Sequence, residues 1–554
     1  MKEVEIFCKN TGSYHSYPMG TSLLEISNDL NIKDDHCVCG AIVNNQAREL
    51  SFCVVKPKQI EFIDVSHPDG MRLYTRSLIF ILYAAVKEVF PHVDFRVQNG
   101  ISNGYFCELR GLEREIGESD VFSIKQEMQA LIDADLPFVK KDLLTTEAVD
   151  LLMKQGLEEK AQLIGQQGQL YTHLYFLNEL ADYLYGHLLP STAYIRNFGL
   201  IPYYDGLLLI VPRRKNFLKL RKVSYHDKLF EIFQEQKDWA GIINVSTVGS
   251  LNERTLASRG GDVIKISEAL HEKKIAEIAN MISQRNGDAK VVLIAGPSAS
   301  GKTTFSKRLG VQLAVNGLRP HHVSLDDYFV DREQTPKDEH GEYDFEALEA
   351  IDIKFFNQQM IELFEGKKVR LPRFDFHLGK RAQNGDTLQL TPGDILIVEG
   401  IHGMNPGLLT QIEERNTFKI FISALTQISM DEHTHISTAD NRLLRRTIRD
   451  AQYRGYHAAD TIKRWPSVRK GEERNIFPYQ ENADVMFNSA TLYELAVLKK
   501  YAEPLLKSVL ENQDEYSEAT RLLEFLSYFK QISDEEIPPT SLLREFLGGS
   551  SFVY

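Results

Sequence analysis

The stretch VVLIAGPSASGKTTFSKRL, residues 291–309, decides the fold of the second half of a 554-residue chain. The apolar run Val291–Ala295 reads as a buried strand, a Gly-rich turn follows, and TTFSKRLGVQLA reads as a helix. Gly296 to Thr303 satisfies G-x-x-x-x-G-K-[ST] in the strand–turn–helix context this motif needs. Gly296, Pro297, Ser298, Ala299, Ser300 and Gly301 then form a turn whose backbone N–H groups point inward at a phosphate. The start of the following helix, Lys302, Thr303 and Thr304, adds positive potential. Lys302 is placed to bridge β- and γ-phosphates, and the Thr303 hydroxyl to ligate Mg2+. The motif predicts a nucleoside triphosphate, but by itself it serves GTPases, motors, ATPases and kinases alike.

Outward from this stretch the sequence supplies what phosphoryl transfer requires: a proton acceptor, oxygen ligands for Mg2+ and cations over the phosphates. HHVSLDDYF (321–329) reads as a second strand ending in Asp326 and Asp327. Acids at the carboxyl end of a strand face the nucleotide crevice of a parallel sheet. GDILIVEGIHG (393–403) reads as an apolar strand ending at Glu399, placed to hold Mg2+ directly or through water. RLLRRTIRDAQYRG (442–455) sets Arg442, Arg445, Arg446, Arg449 and Arg454 on one helix and its end, at spacings of three and four. With Asp450 the one acid inside it, that run reads as a phosphate-covering lid rather than a solvated basic face. From about 290 to 505 strands and helices alternate, as expected of a parallel α/β sheet.

GPSASGKTT, SLDDYF, GEYDFEAL, LPRFDF, IVEG and RLLRRTIRD…RG stand in the order found in the uridine kinase family, within the uridine kinase and phosphoribulokinase group. The resemblance spans about 290 to 490. It implies a P-loop NTPase sheet with flanking helices, ATP and Mg2+ as cofactors, and transfer of the γ-phosphate to the 5′-hydroxyl of a nucleoside such as uridine or cytidine. It implies that Asp326 is the catalytic base, Asp327 being the less favoured of the two acids. Thr303 and Glu399 match the magnesium-side positions, which Asp326 joins. Asp344 matches the residue that grips the ribose hydroxyls, Phe374 and Phe376 the aromatics that flank the base, and Arg381 the basic residue after them. Arg446, Arg449 and Arg454 match the lid arginines over ATP. Three positions depart from the pattern: Phe374 stands for a common Tyr, Gly379 for a His, and Tyr456 for an Arg. All three touch the part of the pocket that reads the pyrimidine and its sugar, where lost hydrogen-bonding groups cost discrimination.

Upstream, residues 1–65 alternate strand-like runs (VEIFCK, CGAIVNN, IEFIDV) with one helical stretch, TSLLEISNDL, for which Thr21 is a suitable cap. This α+β module, with its turn at Gly40 to Asn45, resembles the TGS domain of threonyl-tRNA synthetases and some GTPases. Residues 66–230 open with HPDGMRLYTRSLIFILYAAVKEVFP, an apolar helix ending at Pro91, followed by a strand and the turn ISNGYFCEL. That order resembles the second domain of threonyl-tRNA synthetases, whose helix carries two histidines four apart. The equivalent positions here are Arg76 and Phe80, neither of which can ligate zinc in that scheme. His173 and His187 read as core or surface histidines, and His433 and His435 as parts of a polar loop. Residues 231–289 read as a helical connector, and 506–554 as a tail with a short helix and a Gly-Gly stop.

The whole is thus expected to be a multidomain α/β protein. Its net charge of −13 argues against nonspecific nucleic-acid binding. Five cysteines, an odd count without a secretory leader, fit a reducing cytoplasm, and no apolar window is long enough to span a membrane. Two alternatives stand beside the nucleoside kinase: a phosphoribulokinase-like kinase of another polyol or sugar phosphate, and an RNA-associated regulatory NTPase. In the latter the N-terminal half binds RNA or a regulatory ligand. A homo-oligomer is also expected by analogy with related kinases.

Overall fold

The computed structural model describes residues 2–553 apart from 33–36, 215, 221, 286–287, 338–340, 342, 376–377 and 383–384. Five short strands of the C-terminal half form one sheet: β1 (Val291–Ala295), β2 (Arg319–Ser324), β3 (Asp394–Glu399), β4 (Thr417–Ser423) and β5 (Val485–Asn488). Their order is β2–β3–β1–β4–β5 and every pairing is parallel. Helices α1 (Lys302–Val315), α2 (Ile353–Phe364), α3 (Thr438–Tyr453), α4 (Ala458–Asn475), α5 (Glu494–Lys507), α6 (Tyr516–Ser527) and the short α7 (Arg544–Leu547) complete this half.

Successive residues of a strand face opposite sides, so a sheet covered on both faces needs continuous apolar strands. Val291, Leu293 and Ala295 enter one cluster with Phe356 and Met360 of α2. Val292 and Ile294 enter another with Phe305 and Leu309 of α1. The second cluster also takes Ile275, Ile278 and Ile282 from the helix Gly260–Ser283, so the expected connector covers a face of the sheet. The first takes Phe106, Leu208 and Ile210 from an antiparallel sheet of the upstream region.

That upstream region is α+β. Residues 3–63 form a mixed five-stranded sheet around Ile6, Cys8, Leu23, Ile26 and Phe62. Its helix, Leu23–Asp29, is capped by Ser22 rather than Thr21. Ser22 and Glu25 bond reciprocally in a capping box, while Thr21 is held extended opposite Val54. The apolar helix Pro68–Val89 follows, and beyond it the strands 94–101, 104–110, 199–203 and 206–210 make a four-stranded sheet.

The loop that carries His433 is polar, as expected, but the histidine itself is buried in it. Its Nδ1 lies 2.7 Å from Asp182 Oδ2, and Asp182 also accepts from the buried Lys160 ammonium. Asp431 lies 3.6 Å from Lys160 Nζ, and Glu432 accepts the N–H of Glu159 at 2.8 Å. Against the cost of burial, Lys160 and His433 hold the Asp182 carboxyl below its usual range. This ion cluster ties the loop before α3 to the synthetase-like region. His435 packs on the Tyr105 ring, His187 sits 3.6 Å from Glu49, and the His173 ring lies tilted against Tyr183. Arg76 donates to the His187 carbonyl at 3.5 Å and Phe80 is fully buried. Among the described residues no group of three or more His, Cys, Asp or Glu could hold a metal, and no helix is long and apolar enough to cross a membrane.

Candidate active site

The loop between β1 and α1 is shaped by three backbone positions. A Cβ on Gly296 would stand 2.1 Å from the Ile422 carbonyl oxygen, so only glycine fits beneath β4. Gly301 has φ 83° and Ala299 φ 58°, both left-handed; the latter is a conformation side chains rarely adopt outside functional turns. Lys302 folds back over the loop and donates to the Pro297 carbonyl at 3.1 Å. The Ser300 hydroxyl is buried with no hydrogen-bond partner among the described residues. An unpaired buried hydroxyl in a ring of amides suits an anion such as a phosphate.

Three adjacent strands end at this loop. Glu399, last in β3, accepts from Thr303 Oγ1 at 3.4 Å and from Ser324 Oγ, last in β2, at 3.3 Å. Asp326 and Asp327 lie just past β2, on a single 3₁₀ turn (Leu325–Tyr328) whose cap is Ser324. Burial pushes the Asp326 carboxyl above its ordinary range, and Lys302, Arg454 and Arg449 pull it back. Burial also pushes Glu399 up to about 7, with the Asp326 charge the next cause. Burial lowers the Lys302 ammonium, while Glu399, Asp326 and Glu545 oppose that shift. The three ionisable groups therefore share one electrostatic environment. The hydroxyl and carboxylate oxygens of Thr303, Asp326 and Glu399 are hard-cation donors.

The two acids divide their work. Asp327 accepts the Phe374 N–H at 3.1 Å, fixing the hairpin 373–375/380–382 beside the site. Phe374 lies against Phe329, with ring centroids 5.7 Å apart. Arg381 pairs with Asp352 at 3.0 Å, and one of its guanidinium nitrogens has no hydrogen-bond partner among the described residues. Gly379 has φ 67°, and a Cβ there would meet the Arg332 guanidinium at 2.7 Å. A histidine at 379 would be strained in this backbone and would require the Arg332 side chain to move. Asp344 is paired with Arg474 at 3.2 Å. Phe376 lies outside the described residues.

The arginines of α3 separate into two sets. Arg442 and Arg445 are fully buried and brace the loop from behind. Arg442 donates to the Ser298 carbonyl at 2.8 Å and pairs with Glu472; Arg445 donates to the Ala299 carbonyl at 3.4 Å and pairs with Glu494 at 2.6 Å. Arg446 reaches the Ser298 hydroxyl at 2.8 Å, and Arg446, Arg449 and Arg454 gather around Asp450 at 3.3, 2.9 and 3.6 Å.

Residues 291–496 match the sequence model of the Phosphoribulokinase / Uridine kinase family. Among solved structures, the chain is similar to a possible uridine kinase from Bacillus stearothermophilus. The identity is 18%, the cover 36% of this chain and 89% of that one, and the TM-score 0.24. It is also similar to D-glycerate 3-kinase from Cryptococcus neoformans var. grubii, 15% identical over 46% of this chain and 87% of that one, with a TM-score of 0.22. Curated relatives include the threonine–tRNA ligase of Thermotoga neapolitana, 28% identical over 193 residues, 34% of this chain and 29% of the relative. The ligase of Francisella tularensis subsp. holarctica is 22% identical over 189 residues, 34% of this chain and 30% of the relative. The chain spans less than a third of the length of these relatives. It carries a phosphoribulokinase/uridine kinase-like P-loop domain and a threonyl-tRNA synthetase- and TGS-like N-terminal region.

Ser324, the first residue of SLDDYF, orients Glu399 and caps the Asp326 turn. Two further residues of this kinase-like site escape the sequence motifs. Glu472 accepts the Ser298 N–H at 2.9 Å, and Glu545 accepts both the N–H and the hydroxyl of Thr304, at 3.1 and 2.8 Å. Neither acid stands in a phosphate-loop motif, and only the folded chain brings them to the loop.

Proposed function

We propose that this chain is an ATP-dependent kinase that transfers the γ-phosphoryl group to the 5′-hydroxyl of a nucleoside. The observation that carries the reading is the convergence of Lys302, Thr303, Asp326 and Glu399 where β1, β2 and β3 end, with Arg449 and Arg454 acting on Asp326. A nucleotide-hydrolysing switch needs no acceptor-side carboxylate of this kind; a kinase does.

In this reading Asp326 orients the acceptor hydroxyl and takes its proton as the oxygen bonds to the γ-phosphorus and ADP leaves. A carboxyl raised by burial is a stronger proton acceptor than an ordinary one, and the charges of Lys302, Arg454 and Arg449 oppose that rise. Lys302 and the α3 arginines stabilise charge on the transferring group. Thr303 and Glu399, with Asp326, would hold Mg2+, which when bound neutralises phosphate charge. Phe374, Arg381 and Asp344 line the acceptor side, with Phe376 expected beside them. Gly379 and Tyr456 leave that side poorer in hydrogen-bond donors than a uridine-reading pocket, which widens the acceptors to be tested. The test is a screen of nucleosides and sugar phosphates with ATP on the full-length protein. The reading expects ADP release to depend on a nucleoside; turnover with sugar phosphates alone would refute the nucleoside assignment.

A further inference from the structure

Two of the donors that should meet a nucleotide's phosphates, the N–H and the hydroxyl of Thr304, are already engaged. Glu545 of α7 places its carboxylate on the N–H and hydroxyl of Thr304, in the first turn of α1. First-turn amides have no carbonyl partner within their helix and carry the positive end of its dipole, so they are where a polyphosphate binds. The same carboxylate acts on Lys302 and on Glu399. A carboxylate and a phosphate cannot occupy these donors together.

The segment that delivers Glu545 is firmly attached. Phe546 lies under the Arg445 guanidinium at 5.0 Å, Leu542 is buried with Phe305, and Ser541 donates to Glu268 at 2.6 Å. Arg544 donates to the carbonyls of Asp534 and Ile537 at 2.9 and 2.8 Å. Earlier in the same segment, α6 reaches both halves of the protein. Glu518 pairs with Arg72 of the synthetase-like helix at 2.8 Å, and Arg521 pairs with Asp440 of α3 at 2.7 Å. One strap therefore runs from the N-terminal region to the phosphate loop.

We propose that the C-terminal segment is an autoinhibitory strap, in which the Glu545 carboxylate holds the phosphate-facing donors of Thr304 and must leave before ATP can bind. The inference rests on the nucleotide reading of the loop and adds its regulation. Through Arg72–Glu518 the strap makes nucleotide access depend on the N-terminal region. Replacing the carboxylate with an amide, Glu545→Gln, removes the charge while keeping size and shape.

ATP binding to the full-length wild-type protein and to Glu545→Gln, measured by calorimetry without acceptor, tests this. The variant should bind about tenfold more tightly, the scale of one charge-assisted hydrogen bond. Equal or weaker binding overturns the strap. In the wild-type protein, saturating ATP should also speed amide hydrogen exchange across 544–548, whose N–H groups are bonded within the segment. Unchanged exchange with ATP bound overturns it as well. Because no acceptor is present, the nucleoside assignment can fail without altering either result. An absence of ATP binding to both proteins overturns the strap and the nucleotide reading together.

Discussion

Glu399 offers a quantitative handle on the site. Burial and the neighbouring Asp326 push its carboxyl up to about 7, while its oxygen lies 3.4 Å from the Thr303 hydroxyl expected beside it on Mg2+. Only the ionised form is a good ligand, so protons and metal compete for it. With ionisation at about 7, the ionised fraction falls from ~0.9 at pH 8 to ~0.1 at pH 6, and Mg2+ affinity should fall about tenfold over that interval. The assay is a Mg2+ titration of the nucleotide-bound protein at pH 6, 7 and 8, with Glu399→Gln in parallel. Protonation of the nucleotide itself appears in both proteins, so the difference between them isolates Glu399. Without metal the sign reverses. The unfolded carboxyl ionises near 4.5 and the folded one near 7, so the folded state holds the extra proton between these values. That contribution is complete below pH 4.5 and is lost as pH rises through 7, which Glu399→Gln should abolish in metal-free melting curves. Identical pH dependence of Mg2+ binding in both proteins would refute the placement of Glu399 on the metal.

Asp327→Ala should raise the acceptor KM by about tenfold while leaving the ATP KM unchanged, since one hydrogen bond to a charged acceptor positions the Phe374 hairpin. Asp327→Asn, which keeps an acceptor oxygen, should restore it, and a failure of that rescue counts against the positioning role. Lys160→Met should destabilise the protein by about 3–5 kcal/mol in urea unfolding, because it strands the buried Asp182 beside Asp431. A loss below about 1 kcal/mol would show that the cluster does not hold the two regions together.

What could be read from the sequence was what is local. The β1 strand, the glycine turn and α1 declare themselves within a few residues, because Gly296 leaves no room for a Cβ and Gly301 takes a left-handed φ. Asp326 and Glu399 were legible because strand ends in a parallel sheet converge on one edge. The arginine run was only partly legible. Spacings of three and four place Arg442, Arg445, Arg446 and Arg449 near one another, but they do not say which point inward. Arg442 and Arg445 are buried because Glu472 and Glu494, from α4 and α5, supply their counter-charges. Glu494 stands at the start of α5, an ordinary place for an acid, so its pairing with Arg445 leaves no mark in the sequence. Gly379, where the resemblance expects a His, stands at a left-handed φ in a turn against Arg332, a condition no linear pattern records. The contact of Glu545 with Thr304 joins residues 241 positions apart and has no local signature.

The most direct test of the account is Asp326→Asn, followed for both turnover and ATP binding. Acceptor-dependent ADP formation should fall by about 10²–10⁴-fold, the usual contribution of a general base, while ATP binding persists. Turnover at the wild-type level would contradict it, because the site would then transfer phosphate without the carboxylate that β2 delivers to it.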